Sequence, residues 1–209
     1  MRIRAQPLEV QEYMDLEIPT IVCLEHFIRF SKMSKQALLL PNGEFWDCGI
    51  GEGGTSSFLA KLVPSDRTIR LFDTFEGNPD ASVMGIDGHQ HQPGDFNVED
   101  YEKIVDYFSK YPNVEINKGL IPDTFVGKEN SQIAFCHLDL DLYDPYKDTL
   151  NFVWPRLVNG GIMVFDDYAC RHCLGAKQAV DEFIAEHPNV TLEADFYESR
   201  SVWIIKKDE

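Results

Sequence analysis

The sequence predicts an α/β fold: a mostly parallel seven-stranded sheet with a C-terminal antiparallel hairpin and helices on both faces. Three observations predict it. Short apolar runs alternate with longer helical patterns, and that alternation builds parallel sheets with crossover helices. A glycine-rich turn, Gly49-Ile50-Gly51-Glu52-Gly53-Gly54, separates the first run from the first crossover helix. Two later runs end in acidic pairs, Asp139 with Asp141 and Asp166 with Asp167. At 209 residues, the chain suits one domain, taken as 1–209.

The elements follow in order. Residues 1–43 form an N-terminal helical segment, read as helix over 8–40. There Ile21, Leu24, Phe27, Ile28 and Phe30 recur at spacings of three and four. Pro41-Asn42-Gly43 breaks it. Glu44 to Ile50 is the first strand. A helix over 55–63 stops at Pro64-Ser65-Asp66, and Ile69 to Phe72 is the second strand, ending in Asp73. Residues 74–97 are rich in Gly, Pro, Asp, Asn and His, and a loop of that length is expected to be a lid. Asn97 is placed to cap a helix over 98–110, with Ile104, Val105 and Phe108 facing inward. Val114 to Asn117 and residues 133–139 are the third and fourth strands. Asp144-Pro145 supplies a cap and a first-turn proline for a helix that runs to Asn159-Gly160-Gly161. The fifth strand covers 161–166. Leu174 to Glu186 is the last helix, closed by His187-Pro188. Val190–Phe196 and Val202–Lys206 pair as a hairpin around Glu198-Ser199-Arg200-Ser201.

Composition narrows the function. The chain is 44% hydrophobic and 26% charged, ordinary for a globular domain. A net charge of −16 argues against nucleic acid, whose affinity comes from Lys and Arg. No apolar stretch is long enough to span a bilayer, and the first residues carry no secretory pattern, so the expected compartment is cytoplasmic. Cys170-Arg171-His172-Cys173 has the spacing of half a zinc site, but the sequence holds no second CxxC or HxxxH, which argues against structural zinc. The other cysteines, Cys23, Cys48 and Cys136, form no disulfide framework with them.

Gly49, Gly51 and Gly54 satisfy GxGxxG between a strand and a helix. Asp73 ends the next strand, where a carboxylate can hold the two hydroxyls of a ribose. This pattern fits NAD, FAD or S-adenosylmethionine (SAM). Asp47 and Glu52 put negative charge beside the turn. They disfavour a diphosphate and suit the ammonium and sulfonium of SAM.

The acidic pairs suit a hard divalent cation such as Mg²⁺. Asp139 and Asp141, two residues apart, share a strand face with His137 if the strand stays regular. Asp166 and Asp167 can share an ion only if the chain leaves the strand by Asp167. Asp144 is better read as a helix cap.

At these residues the chain resembles the macrocin O-methyltransferase family, within the Rossmann-like class I methyltransferase fold. The resemblance rests on Glu44 through Gly54, on Leu71-Phe72-Asp73-Thr74-Phe75-Glu76-Gly77 and on Leu138-Asp139-Leu140-Asp141-Leu142-Tyr143. It continues in Gly160-Gly161 through Tyr168 and in Gln178-Ala179-Val180-Asp181-Glu182-Phe183. It implies SAM, Mg²⁺ and O-methylation of a hydroxyl on a small molecule, a sugar or glycosylated natural product. By carry-over, Asp139, Asp166 and Asp167 hold the metal. Asp47, Gly49, Gly51 and Asp73 line the SAM site, with Thr55, Ser56 and Gly119 beside them. Asp139 doubles as a candidate proton acceptor, with His172 and His137 as rival bases. Catechol-type relatives have a lysine where this chain has Leu142, so no lysine base carries over. His89 and His91 are expected to be solvated. A homodimer through the apolar N-terminal helices is expected. Two other readings stand beside this one. An NAD-dependent oxidoreductase would use Tyr143-x-x-x-Lys147; a non-catalytic SAM-binding subunit would lack metal dependence.

Overall fold

The computed structural model describes residues 8–80, 85–194 and 202–207. Strands β1 Glu44–Cys48, β2 Ile69–Asp73, β3 Val114–Lys118, β4 Ile133–Leu138, β5 Leu157–Phe165, β6 Glu193–Ala194 and β7 Val202–Ile205 form one sheet. Helices α1 Leu8–Met14, α2 Leu24–Ala37, α3 Gly54–Leu62, α4 Tyr101–Phe108, α5 Tyr143–Val153 and α6 Leu174–Glu186 surround it. The strand order is β3-β2-β1-β4-β5-β7-β6, with β7 antiparallel to both neighbours and the pairs from β3 to β5 parallel. The expected sheet and hairpin are therefore present. The turn expected at 198–201 lies outside the described residues.

Side chains alternate across this sheet and build two cores. Phe45, Ile69, Leu71, Phe135, Ile162 and Val164 pack with Phe27 and Phe30 of α2 and Phe58 and Leu59 of α3. On the opposite face Trp46, Phe72, Cys136, Leu138, Met163 and Phe165 pack with Tyr146 and Leu150 of α5 and Ala176 and Val180 of α6. Every residue of β4 is buried, as expected of a central parallel strand covered on both faces. The order reverses between β1 and β4. Ligands of open α/β sheets bind beyond the carboxyl ends of the strands at such a switch point.

Four sequence expectations shift. The N-terminal helix is two helices, because Pro19 lacks an N–H and disfavours helix at Ile18. Asp100, not Asn97, caps α4; its Oδ1 accepts from Lys103 N at 3.1 Å. Helix α5 begins at Tyr143 without a side-chain cap of its own, so Asp144 is its second residue. Asp87 Oδ2 accepts the Tyr143 N–H at 2.8 Å instead. Helix α5 also stops at Val153, before a short turn containing Pro155. Gly160 and Gly161 lie inside β5, where three extra residues bulge against β4: Leu157 pairs with Ile133 and Ile162 with Phe135. No helix among the described residues is long and apolar enough to cross a membrane.

Candidate active site

A cavity of about 620 Å³ opens at the carboxyl ends of β1, β2, β4 and β5. That volume suits a cofactor with a small second ligand. The glycine turn forms one wall. Gly49, at φ +86°, lets β1 meet the chain after β4 so closely that a Cβ would fall 1.7 Å from Asp139 O. Gly51, at φ +53°, faces open space, and a Cβ placed there would meet nothing within 4 Å. Its N–H donates to Asp73 Oδ2 at 2.8 Å, and Phe75 N donates to Asp73 Oδ1 at 2.7 Å. Burial pushes the Asp73 carboxyl above its ordinary range, against the pull of those N–H groups. Gly119 N donates to Asp73 O at 2.9 Å, and Gly119 and Thr55 both line the cavity.

Asp47 and Ser56 stand behind this wall rather than in it. Asp47 is fully buried; its Oδ2 accepts from Ser56 Oγ at 2.6 Å, and its Oδ1 accepts from His137 Nδ1 at 2.8 Å. Register explains the pairing, because Asp47 and His137 are direct partners on β1 and β4. Burial works against a charged His137, but Asp166 and Asp47 outweigh it and hold the ring well above its ordinary pKa. The charge expected to face a cofactor from Asp47 is thus compensated inside the core. Glu52 alone keeps that place on the cavity wall.

Asp139, Asp166 and Asp167 converge, with one carboxylate oxygen of each within 4.8 Å of the others. Asp139 and Asp166 line the cavity, and Asp167 lies behind them. The chain does leave the strand: β5 ends at Phe165. Asp167 Oδ2 accepts the N–H groups of Leu140 at 3.1 Å and Asp141 at 3.0 Å. Asp141 reaches this geometry only at φ +58°, a strained value for a side-chain-bearing residue. Burial, then the charges of Asp166 and Asp167, raise Asp139 well above the carboxylate range. Burial, then Asp141 and Asp166, also raise Asp167. Asp166 goes the other way: burial opposes its charge, but His137 and His26 outweigh it and keep it ionised. The Asp139 side chain has no hydrogen-bond partner among the described residues. Crowded carboxyls, two buried and Asp139 half-buried, are a donor set that a hard divalent cation fits.

His26 is the residue that sequence reasoning missed. Its Nδ1 donates to Asp166 Oδ2 at 2.8 Å, and the ring lines the cavity from α2. Burial lowers its basicity, but the Asp166 bond prevails and raises it. The only sequence signal was a histidine on the inward stripe of an amphipathic helix. The rival bases sit elsewhere. His137 lies under the cavity floor, with Nε2 3.7 Å from Asp166 Oδ1, an ion pair longer than a hydrogen bond. His172 is exposed and bonds Gln90 Oε1 at 2.9 Å. Neither lines the cavity. Tyr143 and Lys147 do bond at 2.6 Å, but they face Glu182 of α6, away from the cavity. His91, expected to be solvated, is 4% exposed.

Residues 35–204 match the model of the family described as macrocin-O-methyltransferase (TylF). The chain is similar to the 8-demethyl-8-(2,3-dimethoxy-alpha-L-rhamnosyl)-tetracenomycin-C 4'-O-methyltransferase of Streptomyces olivaceus. The two are 29% identical over 149 residues, 64% of this chain and 56% of that protein. It is also similar to demethyldecarbamoylnovobiocin O-methyltransferase of Streptomyces niveus, 28% identical over 156 residues, 69% of this chain and 59% of that protein. The chain thus spans less than two thirds of the length of these curated relatives. The solved structure of the O-methyltransferase NovP superposes with a TM-score of 0.76 at 24% identity, covering 90% of this chain and 82% of that one. The calicheamicin methyltransferase CalS11 gives 0.69 at 20% identity, covering 96% and 92%. These likenesses and the strand order make the fold that of the class I methyltransferases. On the match over 35–204, the chain belongs to the macrocin O-methyltransferase family.

Proposed function

We propose that the chain is a SAM-dependent O-methyltransferase acting on a hydroxyl of a small molecule, on a sugar of a glycosylated natural product. One observation carries this reading: the Gly51–Asp73 wall and the Asp139–Asp166 pair open onto the same cavity. The names of the relatives, which include a rhamnosyl tetracenomycin and a demethyldecarbamoylnovobiocin, support the acceptor class.

Asp73 and the Gly49–Gly51 turn would bind the nucleoside, with Thr55 and Gly119 beside them. SAM supplies an electrophilic methyl group, and displacement needs the acceptor oxygen in line with the carbon–sulfur bond. Asp139, Asp166 and Asp167 would hold a divalent cation. Such an ion, when bound, fixes a hydroxyl and lowers its pKa. His26 takes the acceptor proton, its Nδ1 being committed to Asp166 and its Nε2 left as the base. His137 holds Asp166 ionised from below. Residues 74–80 and 85–97, which bring Gly77, Asn78, Phe96 and Asn97 to the cavity, would close over the acceptor and exclude water.

The test is incubation with SAM and Mg²⁺ and a panel of rhamnosides and other glycosylated natural products, read by mass for methyl gain. Turnover that stops in EDTA and returns with Mg²⁺ is expected. Full turnover in chelator would remove the cation from the scheme. His26→Gln should cut kcat while SAM affinity, measured by calorimetry, stays within about threefold.

A further inference from the structure

A second cluster lies beside the carboxylate site and serves none of the steps above. His91, Asp141 and Cys173 each place one donor atom within 4.8 Å of the others, and His91 and Cys173 are buried. They come from three separate parts of the chain: the 85–97 segment, the turn after β4 and the residue before α6. Cys173 Sγ donates to Asp141 Oδ1 at 3.2 Å. Cys173 N donates to Cys170 O at 3.2 Å, so the CxxC stretch turns back on itself beside this cluster. His91 Nε2 donates to His172 O at 2.9 Å. A backbone carbonyl on one ring nitrogen fixes the tautomer and leaves the other nitrogen's lone pair free, the outer-shell pattern of metal-bound histidines. The position of His91 is itself fixed, because His91 N donates to Asp87 O at 3.1 Å and Asp87 is tied to Tyr143 N.

We infer that His91, Asp141 and Cys173 form a binding site for a borderline-soft divalent cation of the Zn²⁺ type. The donor set decides the ion class. Imidazole, thiolate and carboxylate suit zinc, whereas the neighbouring all-oxygen cluster suits magnesium. The partners of Cys173 are thus supplied from a distance, by His91 and Asp141. Binding releases the Cys173 thiol proton to solvent and forms a sulfur–metal bond. The ion would clamp the 85–97 segment to the cavity floor, since Asp141 lines the cavity and Asp87 and His91 belong to that segment.

The test uses the full chain stripped of metal and titrated with Co²⁺, watched for a sulfur-to-cobalt charge-transfer band. One equivalent should saturate the band, Zn²⁺ should abolish it, and a large excess of Mg²⁺ should leave it. Cys173→Ser should lose the band, and His91→Asn should weaken Co²⁺ affinity by more than about 100-fold, beyond what an outer-shell contact costs. His91→Asn falls in a loop outside the helices and strands, so it carries the test if Cys173→Ser fails to fold by circular dichroism. Asp139→Asn should keep the band, which separates this site from the carboxylate cluster and from any failure of the methyltransferase reading. A titration without the band, or a band that survives in folded Cys173→Ser, overturns the assignment.

Discussion

Gly51→Ala separates the cofactor reading from a purely structural one. The substitution asks for φ near +53° in a residue with a Cβ, at a cost of about 1–2 kcal/mol. The new methyl meets nothing within 4 Å, so no packing term adds to that strain. In a domain of this size the melting temperature should fall by about 2–8 °C and no more. Gly51 lines the cavity, however, so the methyl occupies space that a bound nucleoside needs. Crowding a fitted ligand costs about 1–3 kcal/mol, which is about a 5- to 150-fold loss of SAM affinity. Gly49→Ala is the contrast. Its Cβ would stand 1.7 Å from a backbone oxygen, against the 3.4 Å at which ordinary contact begins. The chain after β4 would have to retreat, breaking the 2.9 Å bond from Asp139 N to Cys48 O. A stability loss above about 3 kcal/mol follows. Calorimetric titration with SAM, alongside scanning fluorimetry, reads both variants. A Gly51→Ala protein that binds SAM as the wild type does would refute the placement of the nucleoside against this turn.

Three further outcomes are expected. Asp73→Asn should weaken SAM binding at least about tenfold by calorimetry, since the carboxylate is the ribose-facing group of the reading; an unchanged dissociation constant removes that assignment. His137→Leu leaves Asp47 and Asp166 buried without their shared cation, and should cost about 3–5 kcal/mol in urea unfolding. Glu44→Gln tests pH dependence. Burial opposes the Glu44 charge, but Arg70, bonded to it at 2.8 Å, and Trp46 outweigh that and hold its carboxyl below the ordinary range. A depressed carboxylate contributes stability above its unfolded pKa and loses it as pH falls through the folded value. The variant should therefore be less stable than wild type by about 1–2 kcal/mol at neutral pH. The gap should close below the ordinary glutamate range; a pH-independent gap would mean the loss is packing rather than charge.

The fold was legible because the central strands are written as short, largely apolar runs between helical stretches. Ile133 to Leu138 is buried at every position, and the helices between runs are long enough to cross over. Turn chemistry was read less well. Gly160-Gly161 looked like a helix stop, yet the pair serves a bulge in β5, because Pro155 ends the helical stretch earlier. Local pattern also cannot show what a partner strand supplies. Asp47 was read as cofactor-facing from its place before the glycine turn. The β1–β4 register sets it beside His137 instead, and a buried carboxylate next to a buried imidazole pairs inward.

The acidic cluster was legible for a different reason. Asp139, Asp166 and Asp167 lie where adjacent parallel strands end at one sheet edge, so topology alone brings them together. What completes that edge comes from far away in the chain. His26 meets Asp166 across 140 residues, and no spacing rule links a helix stripe to the end of β5. His91 was hidden by composition. A segment rich in Gly, Pro, Asp and His reads as solvated, and its burial depends on a few polar ties. Asp87 reaches the open N–H at the start of α5 and His91 reaches His172 O. A helix N-terminus offers unpaired donors whatever the neighbouring sequence. An acidic loop that finds one is held there by a bond that hydropathy does not register. Polar segments at a sheet edge are therefore the places where sequence reading most understates burial, and in this chain that segment carries the histidine facing Asp141 and Cys173.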